Sequence, residues 1–194
     1  MKNFNPNHDK KGRFAKSSNI ISIAVGDNCK VKHEIQSAIS QINKKFSNLK
    51  LSKYVNNITE KDFNSPNELG RREGKTIYIR KNVTNEYAFR TKDKQPIYFE
   101  GGNKYIKNSK DFSFVVIHEI GHAISGEDNS FCDKFAEQFN LDVEEIAKQL
   151  SYYANYNNTE LFAEAFTDYI INGENASEIG KTIPKFLKEQ GIIE

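Results

Sequence analysis

The sequence predicts an α+β fold in which an N-terminal helix and a small mixed sheet pack against a C-terminal helical half. Helical spacing of apolar residues near the N-terminus, short β-rich runs after residue 75 and helical spacing after residue 109 support this prediction. A chain of 194 residues with 14 Phe and nine Tyr is long enough for one domain with its own core. We expect a single domain over 19–194, divided into 19–109 and 110–194, after a flexible basic arm over 1–18.

The first predicted helix spans 28–48, and its apolar residues recur at spacings of three and four. These residues are Val31, Ile35, Ala38, Ile39, Ile42 and Phe46. Lysines and other polar residues fill the positions between them, as in an amphipathic helix with one buried face. Asp27 or Asn28 is expected to cap its N-terminus.

A small sheet is the simplest account of the next segment. The residues at 76–80, 86–90 and 96–100 are rich in β-branched and aromatic side chains, and Gly101-Gly102 ends the last run. Helices are predicted after this sheet, separated by Gly126, Asn140, an asparagine-rich stretch and Gly173. Their expected ranges are about 110–125, 130–139, 142–152, 159–172 and 176–190.

Charge and composition exclude several functional classes. The net charge is +2, but residues 1–16 contain five cations and only Asp9 as an acid, so the body is slightly acidic. No nucleic-acid partner is therefore expected for the folded body. The N-terminus has no apolar region typical of a signal peptide, and the chain has no run long enough to span a membrane. Cys29 and Cys132 could form one disulfide, but two reduced thiols are the preferred interpretation.

The most informative motif is His118-Glu119-Ile120-Gly121-His122, an HExxH sequence. On a helix, His118 and His122 project from one face about one turn apart, where both imidazoles can bind zinc. Glu119 lies beside that face and can act as a general base toward water. The alternative is a chance match on a solvated helix. The apolar residues 114–117 argue against it, because burying these polar side chains is costly unless they are paired or metal-bound.

Two histidines need a third ligand, and the predicted helix after Asn157 provides one. Asn158 or Thr159 is expected to cap this helix, Glu160 lies in its first turn, and Glu164 lies on the same face one turn later. Two histidines and a glutamate, with an open fourth position, form the ligand set of catalytic zinc sites. The alternative is an ordinary amphipathic helix whose two glutamates face solvent.

These residues resemble the catalytic domain of anthrax lethal factor and of the clostridial Pro-Pro endopeptidases. The similarity covers the HExxH, the segment from Tyr153 to Phe166 with its Glu160-Leu-Phe-Ala-Glu164 sequence, and a closing stretch at 182–190. The resemblance implies a zincin fold with one Zn²⁺ on His118, His122 and Glu160 and with Glu119 as the base. It also implies that Tyr153 stabilises the oxyanion and that Glu164 supports a ligand histidine.

Two details of the site stay open at this point. Tyr152 and Tyr156 compete with Tyr153, which is favoured by its spacing of seven residues from Glu160. Zinc peptidases commonly hold the peptide as an added strand, and 97–100 with Gly101-Gly102 is a candidate edge for it. A plain hairpin turn explains that segment equally well.

The sequence therefore predicts a zinc metalloendopeptidase acting on a protein or peptide substrate. Residues 5–15 resemble a segment of head-morphogenesis and portal-associated proteins of tailed phages, although an ordinary solvated linker also fits them. This resemblance indicates a phage- or mobile-element-associated toxin or effector, located in the virion or in the cytoplasm of a target cell. The rival interpretations are a non-catalytic protein-binding module and a structural phage module in which zinc only holds the helices together.

Overall fold

The computed structural model describes residues 21–25, 29–65, 68–81 and 113–194, and it confirms the α+β class. The strands are β1 (Ser22–Ala24), β2 (Asn57–Lys61), β3 (Gly70–Glu73) and β4 (Thr76–Arg80). The helices are α1 (Cys29–Lys45), α2 (Ser113–Ser125), α3 (Ser130–Ala136), α4 (Val143–Gln149), α5 (Asn158–Asn172), α6 (Glu178–Lys181) and α7 (Ile183–Glu189). Short 3₁₀ turns lie at Leu51–Lys53, Tyr153–Asn155 and Gly173–Asn175.

The four described strands form one mixed sheet in the order β1-β2-β4-β3. β1 and β4 both run parallel to β2, whereas β3 pairs with β4 in the antiparallel direction. Gly70 lies opposite Ile79 in this pair. β3 is therefore an edge strand within the described part of the sheet, and it passes beside α2.

The core lies where α2 crosses α5. A Cβ atom added at Gly121 would be only 3.1 Å from Ala163 Cα, so the absence of a side chain at Gly121 lets the two helices approach closely. Beside this crossing, the rings of Phe131, Phe135 and Phe186 all pack against Phe162. The two helices that carry the HExxH and Glu160 are therefore in close contact at Gly121, and the aromatic rings connect α5 to α3 and α7.

Several sequence expectations are confirmed, and others fall on residues that the structure does not describe. The predicted strand at 76–80 is β4, and the predicted helices at 28–48 and 159–172 are α1 and α5. The runs at 86–90 and 96–100, the caps at Asp27 and Asn28, and the arm over 1–18 lie outside the described residues. Cys132 is a buried free thiol, while the side chain of Cys29 is not described.

Two local expectations need correction, and one alternative interpretation is excluded. The helix predicted over 176–190 is two helices, since α6 ends at Lys181 and α7 begins with Ile183-Pro184. Proline favours the first turn of a helix because it has no N–H to donate. The side chain that caps α5 is Asn157, whose Oδ1 accepts from Glu160 N at 2.9 Å. The glutamates of α5 do not face solvent, since Glu164 is 1% exposed.

In the part of the chain that the structure describes, no helix is both long and apolar enough to cross a membrane.

Candidate metal centre

The two histidines of the HExxH lie on one face of α2, as their spacing predicts. Their Nε2 atoms are 3.0 Å apart, and their rings meet nearly edge to face. The rest of the helix is almost entirely buried, with Ile117 and Ile120 fully enclosed. Burial of its apolar residues fixes the rotation of α2, and this rotation turns both imidazoles toward the same point.

Glu160 approaches that point from the first turn of α5. Its Oε2 atom is 3.1 Å from His118 Nε2 and 3.2 Å from His122 Nε2. This oxygen is buried, and no described group donates to it in acceptable hydrogen-bond geometry. A buried carboxylate oxygen without a hydrogen bond is unfavourable unless another positive partner is present.

The arrangement of these three atoms fits a metal ion. Among the described residues, His118, His122 and Glu160 form a group whose ligand atoms all lie within 4.8 Å of one another. A tetrahedral ion with bonds of about 2.0–2.1 Å keeps its ligands about 3.3 Å apart. The observed separations of 3.0–3.2 Å are close to that value. His118, His122 and Glu160 could therefore hold one metal ion together.

Glu164 lies behind the group and contacts its first histidine. Its Oε1 is 3.1 Å from His118 Nδ1, so the imidazole can donate there and leave Nε2 free to bind a metal. The other oxygen, Oε2, accepts from Ser151 Oγ at 2.6 Å. Ser151 Oγ in turn accepts from Ala154 N at 3.0 Å. A continuous set of hydrogen bonds thus connects His118 to the backbone of the 3₁₀ turn at Tyr153–Asn155.

Glu119 is buried beside the metal-binding group and touches the edge strand. A Cβ atom built on Gly70 would lie 2.8 Å from both Glu119 Cγ and Glu119 Oε1. The glycine therefore leaves the space that Glu119 occupies. Burial raises the pKa of Glu119, and the charges of the two imidazoles oppose that effect. A carboxylate with a raised pKa is a stronger base than an ordinary surface glutamate.

Tyr153 also lines the cleft, from the 3₁₀ turn that precedes α5. Its ring is centred 6.0 Å from the ring of His118 and stacks on Tyr156 at 6.3 Å. Burial and the nearby Glu160 carboxylate raise the pKa of Tyr153 well above its ordinary value. Its phenol is therefore protonated at neutral pH and can donate a hydrogen bond.

The imidazole and carboxylate charges of the group depend on each other. Burial lowers the pKa of His118, but the carboxylates of Glu160 and Glu164 outweigh this effect and raise it well above its usual range. For Glu160, burial raises the pKa, but the two imidazoles outweigh it and hold the pKa well below its usual range. Glu160 is therefore ionised at neutral pH and presents a charged oxygen to a cation.

Two cavities open on either side of this group, with volumes of about 730 and 430 Å³. Both are lined by Gly70, His118, Glu119 and Tyr153. The larger cavity is also bordered by apolar and aromatic side chains, namely Leu69, Phe114, Val115, Tyr152 and Tyr156. The smaller is bordered by polar ones, including Arg71, Arg72, Glu127 and Thr159. Because Tyr152 and Tyr156 line only the larger cavity, Tyr153 is the tyrosine placed at the junction.

Sequence reasoning missed two residues of this arrangement. Gly70 could have been noticed as a glycine inside a short extended segment, a pattern that marks close approach of another group. Ser151 gives no signal in the sequence, because its contact with Glu164, 13 residues later, is made only by the fold.

Comparison with known proteins identifies the family of this chain. The family described as "Anthrax toxin lethal factor, N- and C-terminal domain" matches residues 17–188, which is most of the chain. No curated protein matches the sequence significantly. The matched region includes all of α2 and α5, and hence the HExxH and both glutamates of α5. The chain therefore belongs to the anthrax toxin lethal factor family.

Proposed function

We propose that this protein is a zinc-dependent metalloendopeptidase. The observation that supports the proposal is the convergence of His118, His122 and Glu160 on one point, with Glu119 buried next to it in an open cleft. Zinc, when bound by these three side chains, supplies Lewis acidity for hydrolysis of an amide.

The roles of the protein side chains follow from their placement. Glu119 removes the proton from the attacking water and then delivers it to the leaving amine. Its buried position and raised pKa favour both transfers. Tyr153 remains protonated and donates a hydrogen bond to the developing oxyanion. Glu164 holds the imidazole of His118 through Nδ1 and fixes the direction of Nε2.

We propose that the substrate peptide binds beside β3. This strand has no neighbour on its outer side among the described residues, and it begins at Gly70, next to Glu119. An extended peptide can therefore add to the sheet edge by main-chain hydrogen bonds and lie across the junction of the two cavities. The segment 97–100, which the sequence offered as a candidate edge beside a plain hairpin turn, lies outside the described residues.

A toxin or effector role is the biological context that we propose. Membership in a family named for a toxin component supports it. The association with phages or mobile elements depends only on residues 5–15, and it stays a prediction from their sequence. A purely structural zinc site usually has four protein ligands, whereas three donors converge here among the described residues.

A peptide library tests the peptidase proposal. Wild type and Glu119→Gln are loaded with zinc and incubated with the library, and new termini are identified by mass spectrometry. We expect cleavage by the wild type and a loss of about 10²–10⁴-fold in the variant, with zinc retained by both. A zinc-loaded wild type that cleaves no peptide would contradict the proposal. Cleavage that survives the substitution would show that Glu119 is not the base.

Metal analysis tests the ligand assignment separately. Glu160→Ala removes the charged ligand oxygen, so its zinc retention should fall strongly. Glu164→Ala removes only the partner of His118 Nδ1, and a smaller loss is expected. Equal zinc retention by wild type and both variants would show that the assigned ligands are wrong.

A further inference from the structure

Ser151 is a buried hydroxyl that joins two parts of the candidate site. It is 4% exposed and follows α4 directly before the 3₁₀ turn. Its Oγ donates to Glu164 Oε2 at 2.6 Å and accepts from Ala154 N at 3.0 Å. Both capacities of the hydroxyl are therefore used inside the protein.

Each of these bonds leads to a group of the proposed reaction. Glu164 contacts His118 Nδ1 through its other carboxylate oxygen, at 3.1 Å. Ala154 follows Tyr153 in the chain, so its N–H belongs to the turn that presents the tyrosine. One hydroxyl thus contacts both the carboxylate that orients His118 and the backbone that positions Tyr153.

We propose that Ser151 is a positioning residue. It fixes the ligand His118 in its position relative to the hydrogen-bond donor Tyr153. This inference rests on the metallopeptidase function proposed above. Glu164 is almost fully buried, so its carboxylate has few alternatives to the donors that surround it. Without the Ser151 hydroxyl, the carboxylate loses a short hydrogen bond, and the N–H of Ala154 loses the acceptor that connects it to Glu164 of α5.

A purely structural role is the competing explanation, and the chain contains a matched control for it. Ser177 is also buried; its Oγ donates to Asp168 Oδ2 at 2.7 Å and accepts from Gly180 N at 3.0 Å. Asp168 lies on α5 one turn after Glu164. Each serine therefore donates to one carboxylate of α5 and accepts from the N–H three residues later in the chain, but only Ser151 is connected to the site.

The experiment compares Ser151→Ala with Ser177→Ala in the full chain. The unfolding midpoint is measured without metal, and the zinc dissociation constant is measured by competition with a chelator. We expect similar falls in the unfolding midpoint for both variants. Only Ser151→Ala should weaken zinc binding, by about 10–100-fold. It should also lower kcat by more than it changes KM, because Tyr153 acts in the transition state.

Two further variants keep the test decisive. Ser151→Thr retains a hydroxyl and should recover most of the zinc affinity, even if Ser151→Ala folds poorly. In a Glu164→Gln background, Ser151→Ala should weaken zinc binding much less than it does alone, since the two residues act through one contact. Independent, multiplicative losses would overturn the proposed coupling.

The outcomes separate this inference from the peptidase proposal. If the wild type binds zinc but cleaves no peptide, the peptidase proposal fails, and the zinc affinities still decide the role of Ser151 toward His118. If the wild type cleaves peptides and Ser151→Ala matches it in zinc affinity and kcat, only the role of Ser151 is refuted. Equal losses of zinc affinity in Ser151→Ala and Ser177→Ala would also refute it.

Discussion

Replacement of Gly70 by alanine should damage catalysis with little effect on folding. The added Cβ would lie 2.8 Å from Glu119 Cγ and Oε1 and 3.0 Å from Val115 Cγ1. Ordinary contacts between such atoms are about 3.5–4.0 Å, so the overlap to be relieved is roughly 1 Å. Glu119 has rotatable bonds, whereas Gly70 is fixed in the sheet opposite Ile79. We therefore expect the glutamate side chain to move and the strand to stay.

A displacement of this size is large for a catalytic base. Misplacement by about 1 Å can reduce a rate by about 10²-fold, equivalent to about 2.7 kcal/mol in activation free energy. We expect Gly70→Ala to lower kcat/KM by that factor for a peptide that the wild type cleaves. Zinc affinity should change little, because the overlap does not involve His118, His122 or Glu160.

Gly74→Ala is the matched control on the same hairpin. Gly74 has a φ of +57°, so alanine is strained there, but its Cβ would meet nothing within 4 Å. This variant should lose stability while keeping its activity per folded molecule. Wild-type kcat/KM in a folded Gly70→Ala protein would refute the placement of Glu119 against β3. A large loss of zinc affinity in Gly70→Ala would refute the claim that this substitution displaces only Glu119.

Three further predictions concern the core, the buried cysteine and the metal. Phe162→Ala removes a fully buried ring that packs on Phe131, Phe135 and Phe186. Denaturant titration should show that the free energy of unfolding falls by about 3–5 kcal/mol, whereas a fall of less than about 1 kcal/mol would contradict this packing. Burial raises the pKa of the Cys132 thiol to about 11. The folded protein therefore binds the thiol proton more tightly than the unfolded chain does. The free energy of unfolding should consequently fall as the pH rises from about 8.5 to 11. Alkylation of Cys132 at pH 8, located by peptide mapping, should be slow until the protein unfolds, and rapid labelling of the native protein would contradict its burial. Zinc at about one hundred times its dissociation constant should stabilise the protein by about 2.7 kcal/mol in thermal unfolding; an equal gain in Glu160→Ala would show that the ion binds elsewhere.

The helices that contain the site could be predicted from local signals. The apolar residues before His118 and the four-residue spacing to His122 depend on one helix alone, and the structure agrees with both. Glu160 could be placed in the first turn of a helix because an asparagine-rich stretch precedes it. The observed cap, Asn157, lies one or two positions before the predicted ones, since Asn157, Asn158 and Thr159 are all good caps.

The rest depends on contacts between distant parts of the chain. β2 and β3 contain charged residues and few β-branched ones, so their pattern is weak, and pairing with β4 stabilises them. The contact of Gly70 with Glu119 joins residues 49 positions apart in the sequence. No local propensity specifies such a contact. Local propensity does not specify the contact of Ser151 with Glu164 either, because this contact depends on the packing of α5 against the turn before it.

The carboxylates of α5 have a consequence for how this chain can vary. Glu160, Glu164 and Asp168 occupy successive turns of one helix face, and they contact the ligand histidines, Ser151 and Ser177 respectively. Insertion of a single residue between the first two would rotate everything beyond it by about 100°. The insertion would then remove three contacts together. These are the contact of Glu160 with the histidines, the support of His118 by Glu164, and the anchoring of the C-terminal segment by Asp168. Changes of length within α5 should therefore not be tolerated.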